Sequence, residues 1–181
     1  MEAVRAMNDN STSNHVISAP ADPTLDRLLR HMAWANATLL GQLAELPDDA
    51  LALASPRNEW TVAMIVAHIV DAAAWYASLL DGSVCPPDVE VPTTSAEIAA
   101  IAEACAMADD RLRAVAFVPD GMVEKDPGRY NKRSTILGQS IHHATEHRAQ
   151  VAGALSTNGI DAIDLDALDV WAYGAAEGLG A

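Results

Sequence analysis

Apolar residues recur along this chain at intervals of three and four positions, the spacing that places them on one face of a helix. The first such stripe follows Asp22 and Pro23, an acidic N-cap and a proline at the first helical position, and it stops before Pro47. The pattern therefore predicts a first helix between Asp22 and Pro47. Its apolar positions are Leu25, Leu28, Leu29, Met32, Leu39, Leu40 and Leu43.

A second stripe starts after Thr61 and ends at Asp81 and Gly82, since glycine is typical of a helix C-terminus. One of its inward positions is a histidine, His68. The proline-containing segment 83–93 follows, and it predicts a loop that crosses from one end of a helical bundle towards the other. The stripe consists of Met64, Ile65, His68, Ile69, Ala72, Trp75, Tyr76 and Leu79.

Thr94 and Glu97 have the spacing of a capping box, which predicts the start of a third helix that ends before Pro119. Its apolar face includes Cys105, which we expect to be a small buried side chain. Glycines and prolines interrupt the segment from Pro119 to Arg133. This segment therefore predicts a second connection, with room for a short hairpin and with its charged side chains in solvent. The third face consists of Ile98, Ile101, Cys105, Leu112, Val115 and Phe117.

A fourth stripe starts near Ser134 and ends at Asn158 and Gly159. Two of its inward positions, His143 and His147, are histidines. The residues that follow alternate acidic and apolar side chains and predict a short C-terminal helix or packed tail. The predicted fold is thus all-α, a four-helix bundle with a long crossover. The fourth stripe consists of Ile136, Ser140, His143, His147, Val151 and Leu155.

The composition agrees with a helical reading. Half of the 181 residues are hydrophobic but only one is Phe, and abundant Ala and Leu favour helices over sheets. A chain of this length suits one domain. The polar residues 1–21 predict a flexible N-terminal tail, and residues 22–181 the helical bundle domain. No run of eighteen apolar residues occurs, so we expect no membrane span.

Charge and cysteine content narrow the partners and the compartment. With 25 acidic and 11 basic residues the net charge is −14, so the surface should repel nucleic acid and anionic lipid. The two cysteines, Cys85 and Cys105, have no metal-finger or CxxC spacing and suit a reducing compartment. The first twenty residues lack the apolar core of a secretory signal. We therefore expect a cytoplasmic protein without nucleic-acid or membrane partners.

The histidines on the stripes carry the candidate chemistry. His143 and His147 are four positions apart, so on a helix both rings project from one face and can hold one ion. Their apolar flanks indicate that the rings face the bundle interior, where His68 of the second helix offers a third ligand. Three buried rings would otherwise need separate polar partners. The alternative is that each histidine bonds to a backbone carbonyl or a carboxylate, but the combined spacing favours a divalent metal site.

The sequence leaves the roles of several neighbours of these histidines open. Glu146 is not at the position of the base in an HExxH protease, and we expect it on a solvated face. Asp71 is either an orienting partner of the His68 ring or a surface acid. We expect Arg148 and Gln150 either to contact an anionic substrate or a dimer partner, or to be solvated. His31 and Trp34 are expected to pack in the core, and His142 is expected to point away from His143. The acidic residues near the C-terminus are expected to be solvated: Asp161, Asp164, Asp166 and Asp169.

Four stretches, in this order, resemble the DinB-like (DinB/YfiT-like) superfamily of metalloenzymes and cover most of the chain. The resemblance implies an up-down bundle with a long crossover. It also implies a metal, often zinc or nickel, on the histidines that match His68, His143 and His147. The stretches are His31 to Asn36, Trp60-Thr61 leading to His68 to Asp71, His143 to Gln150, and Asp169 to Gly174.

The resemblance also suggests an activity. Characterised relatives include S-transferases and isomerases that use mycothiol, bacillithiol or glutathione, and members are often dimers. We therefore expect a homodimer that uses a small-molecule substrate, a divalent metal and a low-molecular-weight thiol. Two alternatives stay open: a hydrolase that uses metal-bound water, and a non-enzymatic stress-response bundle whose metal holds helices together.

Overall fold

A computed structural model of the chain describes residues 22–56 and 59–178, so the predicted tail at 1–21 lies outside the described residues. The described residues form the predicted helical bundle with a small hairpin and a short C-terminal helix. The helices are α1 (Pro23–Ala44), α2 (Val62–Asp81), α3 (Ile98–Ala116), α4 (Arg133–Thr157) and α5 (Val170–Ala176), and the hairpin strands are β1 (Met122–Asp126) and β2 (Arg129–Lys132).

The helices begin where the capping signals place them. Asp22 Oδ1 accepts hydrogen bonds from two backbone N–H groups in the first turn of α1. Thr61 does the same for Met64 at the start of α2, and Thr94 and Glu97 form the predicted capping box. Gly82 ends α2 with a φ of 73°, a left-handed conformation that glycine adopts without a steric penalty.

Contacts between helix ends define the direction of each helix. Arg113 near the end of α3 pairs with Asp26 at the start of α1, at 2.7 Å, so these helices are antiparallel. Arg111 pairs with Asp81 at the end of α2, at 2.8 Å, so α2 and α3 are parallel. Arg133 at the start of α4 donates to carbonyl oxygens at the ends of α2 and α3. The bundle therefore runs up, down, down, up.

Arg133 is half-buried, so the prediction of a solvated side chain was wrong there.

The long crossover between α2 and α3 exists because these two parallel helices cannot be joined by a short turn. It is attached to the bundle at two places. The Val89 N–H donates to Asp71 Oδ1 on α2, at 2.9 Å, and the Ser95 N–H donates to Asp48 Oδ1 beyond the end of α1, at 2.7 Å. These bonds hold the crossover along the side of the bundle.

Helix α2 packs against both α3 and α4. By length and composition it could cross a membrane, but 72% of its apolar window is buried inside the protein, as is typical of a core helix. Met64 was predicted to point inward, yet it is 39% exposed. Met64 precedes His68 by one turn, on the least buried side of α2. The buried face of this helix is therefore rotated away from the predicted one.

The C-terminal segment covers α1. The His31 Nε2–H donates to the carbonyl oxygen of Leu168 at 2.8 Å, and the His31 side chain is buried. The rings of Trp34 and Tyr173 lie 5.5 Å apart between α1 and α5. The expected packing role of His31 and Trp34 is therefore confirmed. Cys105 is buried as well, and burial raises the pKa of its thiol.

A buried polar triad joins α1, α3 and α4. Arg148 Nη1 donates to Asn36 Oδ1 at 2.7 Å, and Asn36 Nδ2 donates to Asp109 Oδ2 at 3.0 Å. One amide thus bridges a cation and an anion, each 3% exposed. Of the roles left open for Arg148, solvation is wrong, because the bundle encloses its guanidinium. Burial raises the pKa of Asp109 to about 6 and lowers that of Arg148 to about 10, so the charges are costly to bury.

Asp109 provides a test of this cost in metal-free protein. Its folded pKa lies above the ordinary value of 3.8, so its contribution to stability falls as the pH rises from 4 towards 6. We expect Asp109→Asn to lack this loss. Relative to the wild type, the unfolding free energy of the variant should rise by about 2 to 3 kcal/mol between pH 4 and 7, measured by urea unfolding.

The matched control is Asp110→Asn, which changes the neighbouring, exposed acid. Its unfolding free energy should follow that of the wild type across the same range. Parallel curves for the Asp109 variant and the wild type would show that the buried carboxyl does not titrate as described.

Candidate metal centre

Helices α2 and α4 bring three histidines together. The two helices are antiparallel neighbours, and His68 on α2 lies opposite the pair His143 and His147 on α4. The four-residue spacing places the latter two on successive turns of one face, as predicted. His147 is buried, whereas His68 and His143 are half-buried. The site is therefore at the seam between the helices, near the surface, and not in the centre of the bundle.

The ring nitrogens converge. His143 Nε2 lies 3.2 Å from His68 Nε2 and 3.1 Å from His147 Nε2. All three ligand atoms lie within 4.8 Å of one another. A tetrahedral ion with nitrogen ligands at 2.0 to 2.1 Å requires a separation of about 3.3 Å between them. The three-histidine group could therefore bind a divalent metal ion.

The orientation of the His147 ring is set by a neighbour on the same helix. His147 Nδ1 lies 2.8 Å from Gln150 Oε1, and because this oxygen can only accept, the ring nitrogen carries the proton. The Nε2 lone pair is then directed at the other two histidines. Metal-bound histidines commonly have such a partner on their second nitrogen. The i,i+3 spacing of these two residues is a local signal for this contact, whereas the expected positions for Gln150 were solvent, an anionic substrate or a dimer partner.

The protonation of the site also suits a metal. Burial lowers the pKa of His143 to about 4, with further lowering by the nearby His147 and His68. Burial and His147 also lower the pKa of His68, while Asp71 opposes this shift. At neutral pH both rings are therefore uncharged, which is the form that binds metal ions.

Aromatic rings form the walls around the histidines. Trp60 contacts His68 edge-on, with ring centroids 4.8 Å apart, and stacks with His147 at 6.1 Å. Tyr76 contacts His143 edge-on at 5.8 Å. These side chains reduce the access of water to the rings on two sides. In the sequence Trp60 belongs only to a stretch that resembles the family, because its contact with the histidines depends on how the loop before α2 folds.

The remaining candidates are placed outside the cluster. The contact described for Asp71 is with the crossover, through Val89 N–H, so the carboxylate influences His68 by its charge. Glu146 and His142 are exposed on α4, as expected. Arg148 belongs to the buried triad. Asp161, Asp164 and Asp166 are exposed, as expected, but Asp169 is half-buried and caps α5 through the Ala172 N–H.

The fold and the three-histidine site define a helical-bundle protein of the metal-binding type, and sequence comparison agrees. The model of the DinB family matches residues 11–173, which is most of the chain. This chain therefore belongs to the DinB family, as the resemblance implied. The match begins inside the segment predicted to be an N-terminal tail. The search of the curated proteins gave no match.

Gln150→Leu tests the orientation of the His147 ring. Without the accepting oxygen, this ring can rotate or change tautomer, and the affinity for Zn²⁺ should fall by about ten-fold to a hundred-fold. Competition with a chelating dye measures the change. The fold should be kept, since the side chain of Gln150 is exposed.

Gln150→Glu is the matched control, because a carboxylate oxygen can accept the same proton. Its affinity for Zn²⁺ should equal or exceed that of the wild type. If the Leu and Glu variants bind equally well, Gln150 does not position the ring.

Proposed function

We propose that this protein is a metal-dependent enzyme that transfers a low-molecular-weight thiol to a small electrophile or uses the thiol to isomerise one. The supporting observation is the convergence of three Nε2 atoms at a half-buried seam, where burial lowers the pKa of His68 and His143. Imidazole ligands suit zinc and nickel. Three protein ligands leave a coordination position for an exogenous group, which is typical of catalytic rather than structural sites.

A divalent ion held there would supply a Lewis acid that lowers the pKa of a bound thiol or water. His68, His143 and His147 would hold the ion, and Gln150 would keep the His147 ring in place. Trp60 and Tyr76 would limit the access of water. A thiol suits this site because it needs little help to lose its proton. Near the histidines, the described carboxylates are poorly placed as bases. Asp71 Oδ1 already accepts a hydrogen bond from the Val89 N–H, and Glu146 is exposed.

A hydrolase is the second candidate, and the chemistry of the donor set favours it. Three histidines are also the ligands with which zinc lowers the pKa of water to about 7 in known enzymes. Such a site requires no separate carboxylate base. The two candidates differ in the attacking atom, so a comparison of thiol transfer and hydrolysis separates them.

We further propose a cytoplasmic homodimer as the working form. The free thiols of Cys85 and Cys105 are compatible with a reducing compartment. The dimer is proposed on the family resemblance alone. Sedimentation of the metal-loaded protein measures the mass directly.

Metal binding should stabilise the fold in a pH-dependent way. At pH 7, Zn²⁺ or Ni²⁺ at about a thousand times its dissociation constant should raise the melting temperature by about 10 °C over metal-free protein. The pKa of His143 is lowered to about 4, so its proton competes with the metal only near that pH. The gain should therefore shrink as the pH falls towards 4.

His143→Ala should remove most of this gain, whereas His142→Ala, which changes the exposed neighbour, should keep it. Thermal denaturation of both variants, with and without metal, provides the comparison. An equal gain in the two variants would contradict the metal site.

Thiol transfer should depend on the same residues. With 1-chloro-2,4-dinitrobenzene, a carbon–sulfur bond forms, chloride leaves and the proton of the thiol goes to solvent. Metal-loaded protein should accelerate this reaction for mycothiol, bacillithiol or glutathione, and His143→Ala should reduce the rate to that without protein. Absorbance of the conjugate measures it.

Hydrolysis of 4-nitrophenyl acetate is the parallel assay. If chelation abolishes ester hydrolysis while none of the thiols is transferred at any metal loading, the hydrolase replaces the transferase. If neither reaction responds to metal, while metal still raises the melting temperature, the ion is structural.

A further inference from the structure

A small interior cavity lies beside His143, where the four long helices of the bundle meet. Its volume is about 10 Å³, which is the space that one water molecule needs. His143 lines this cavity, whereas His68 and His147 do not. Two of the polar residues on its wall are Asp109 of α3 and Ser140 of α4. The cavity therefore lies between the metal centre and the buried triad.

Asp109 brings an unpaired oxygen to the cavity wall. The residue is 3% exposed, and its Oδ2 accepts hydrogen bonds from Asn36 Nδ2 at 3.0 Å and from Cys105 Sγ at 3.6 Å. Asp109 Oδ1 is buried and has no hydrogen-bond partner in the described part of the chain. An unpaired buried carboxylate oxygen is costly, and internal water commonly satisfies such an atom.

His143 needs an acceptor for its second ring nitrogen. Its Nε2 lies beside the other two histidines, so a neutral ring that binds metal through this atom carries its proton on Nδ1. His147 has Gln150 as the acceptor in the corresponding position. For His143 Nδ1, residues 22–56 and 59–178 provide no such acceptor. A partner at this nitrogen is what commonly fixes a ligand histidine.

Ser140 offers a second acceptor on the same wall. It precedes His143 by about one turn and is 3% exposed, and its hydroxyl donates to the Leu137 carbonyl oxygen at 2.8 Å. Its oxygen lone pairs therefore remain available to a donor. The Tyr76 hydroxyl, whose residue also lines the cavity, is already hydrogen-bonded to the side chain of Gln139. One donor and two acceptors thus border a space of one water, and three hydrogen bonds are typical of a buried water.

We propose that the cavity binds one structural water, which accepts a hydrogen bond from His143 Nδ1–H and donates to Asp109 Oδ1 and Ser140 Oγ. Asp109 is then a positioning residue: through this water it keeps the proton on Nδ1 and leaves the Nε2 lone pair for the metal. The inference deepens the proposed function, but it rests on metal binding alone and not on the reaction that follows.

Asp109→Asn reverses the polarity of this chain of hydrogen bonds. The amide oxygen can keep the contacts with Asn36 and Cys105, so the amide N–H group faces the cavity and donates to the water. The hydrogens of the water are then free to point at His143 Nδ1, which favours a proton on Nε2. Burial raises the pKa of Asp109 to about 6, so the comparison with the wild type is made at pH 8, where its carboxyl is charged.

The first readout is the tautomer of His143 in metal-free protein, from the ¹⁵N chemical shifts of its two ring nitrogens. The pKa of His143 is lowered to about 4, so the ring is neutral at pH 8. The Nε2–H fraction should be larger in Asp109→Asn than in the wild type. A role of Asp109 in packing alone would not change this fraction.

The second readout is the affinity for Zn²⁺, measured by competition with a chelating dye. Asp109→Asn should weaken zinc binding by about ten-fold, as loss of a partner behind a ligand histidine commonly does. Asp110→Asn is the control for charge, because it removes the neighbouring, exposed acid. It should change the affinity by less than about two-fold.

Cys105→Ala is the control for loosening of the core. It removes the donor to Asp109 Oδ2 and leaves a small void, but it keeps Oδ1 and does not line the cavity. It should lower the melting temperature while the zinc affinity stays within about two-fold of the wild type. An equal loss of affinity in this variant and in Asp109→Asn would overturn the proposal, because loosening of the core would then explain both.

A crystal structure of the zinc-loaded protein tests the water directly. One water should lie within hydrogen-bond distance of His143 Nδ1, Asp109 Oδ1 and Ser140 Oγ, and a dry cavity would overturn the proposal. Equal zinc affinity or equal tautomer fractions in the wild type and Asp109→Asn would overturn the positioning role and keep the metal centre. A ten-fold loss of zinc affinity, without thiol transfer or ester hydrolysis by the wild type, would keep the positioning role and remove the proposed enzyme.

Discussion

The structure depends on the antiparallel packing of α2 against α4, because this contact brings three imidazoles within one coordination sphere. Protonated rings this close together would repel one another, and burial lowers the pKa of His68 and His143. His143, between the other two, has the largest lowering of pKa that is described for these rings. The packing therefore favours uncharged nitrogen donors at His68 and His143.

The rest of the bundle holds that contact in place. The triad of Asn36, Asp109 and Arg148 ties α4 to α1 and α3, and Arg148 directly follows His147. Burial opposes both charges, so their burial costs free energy at neutral pH, while the hydrogen bonds of the triad restrict how α4 can slide or rotate. A polar cluster of this kind costs free energy of folding but fixes the position of one helix.

The parallel arrangement of α2 and α3 shapes the surroundings of the site. It requires the long crossover, which lies along α2. The Val89 N–H of this crossover donates a hydrogen bond to Asp71 on α2. The hairpin before α4 closes the other side and brings Lys125 next to Trp75. Connections that look unstructured in the sequence thus supply a hydrogen-bond donor to the Asp71 carboxylate and place one cation beside Trp75.

The sequence by itself determined the helices and the three candidate metal ligands. Caps, prolines and apolar spacing are local signals, so they predicted the helix starts at Asp22, Thr61 and Thr94. The i,i+4 rule placed His143 and His147 on one face. Tertiary structure alone decided which polar residues are buried. Arg148 and Asp109 are ordinary helix-surface residues by local pattern, and only the meeting of three helices encloses them. The exposure of Met64 and the contact of Trp60 with His68 likewise depend on packing between distant segments, which local periodicity does not encode.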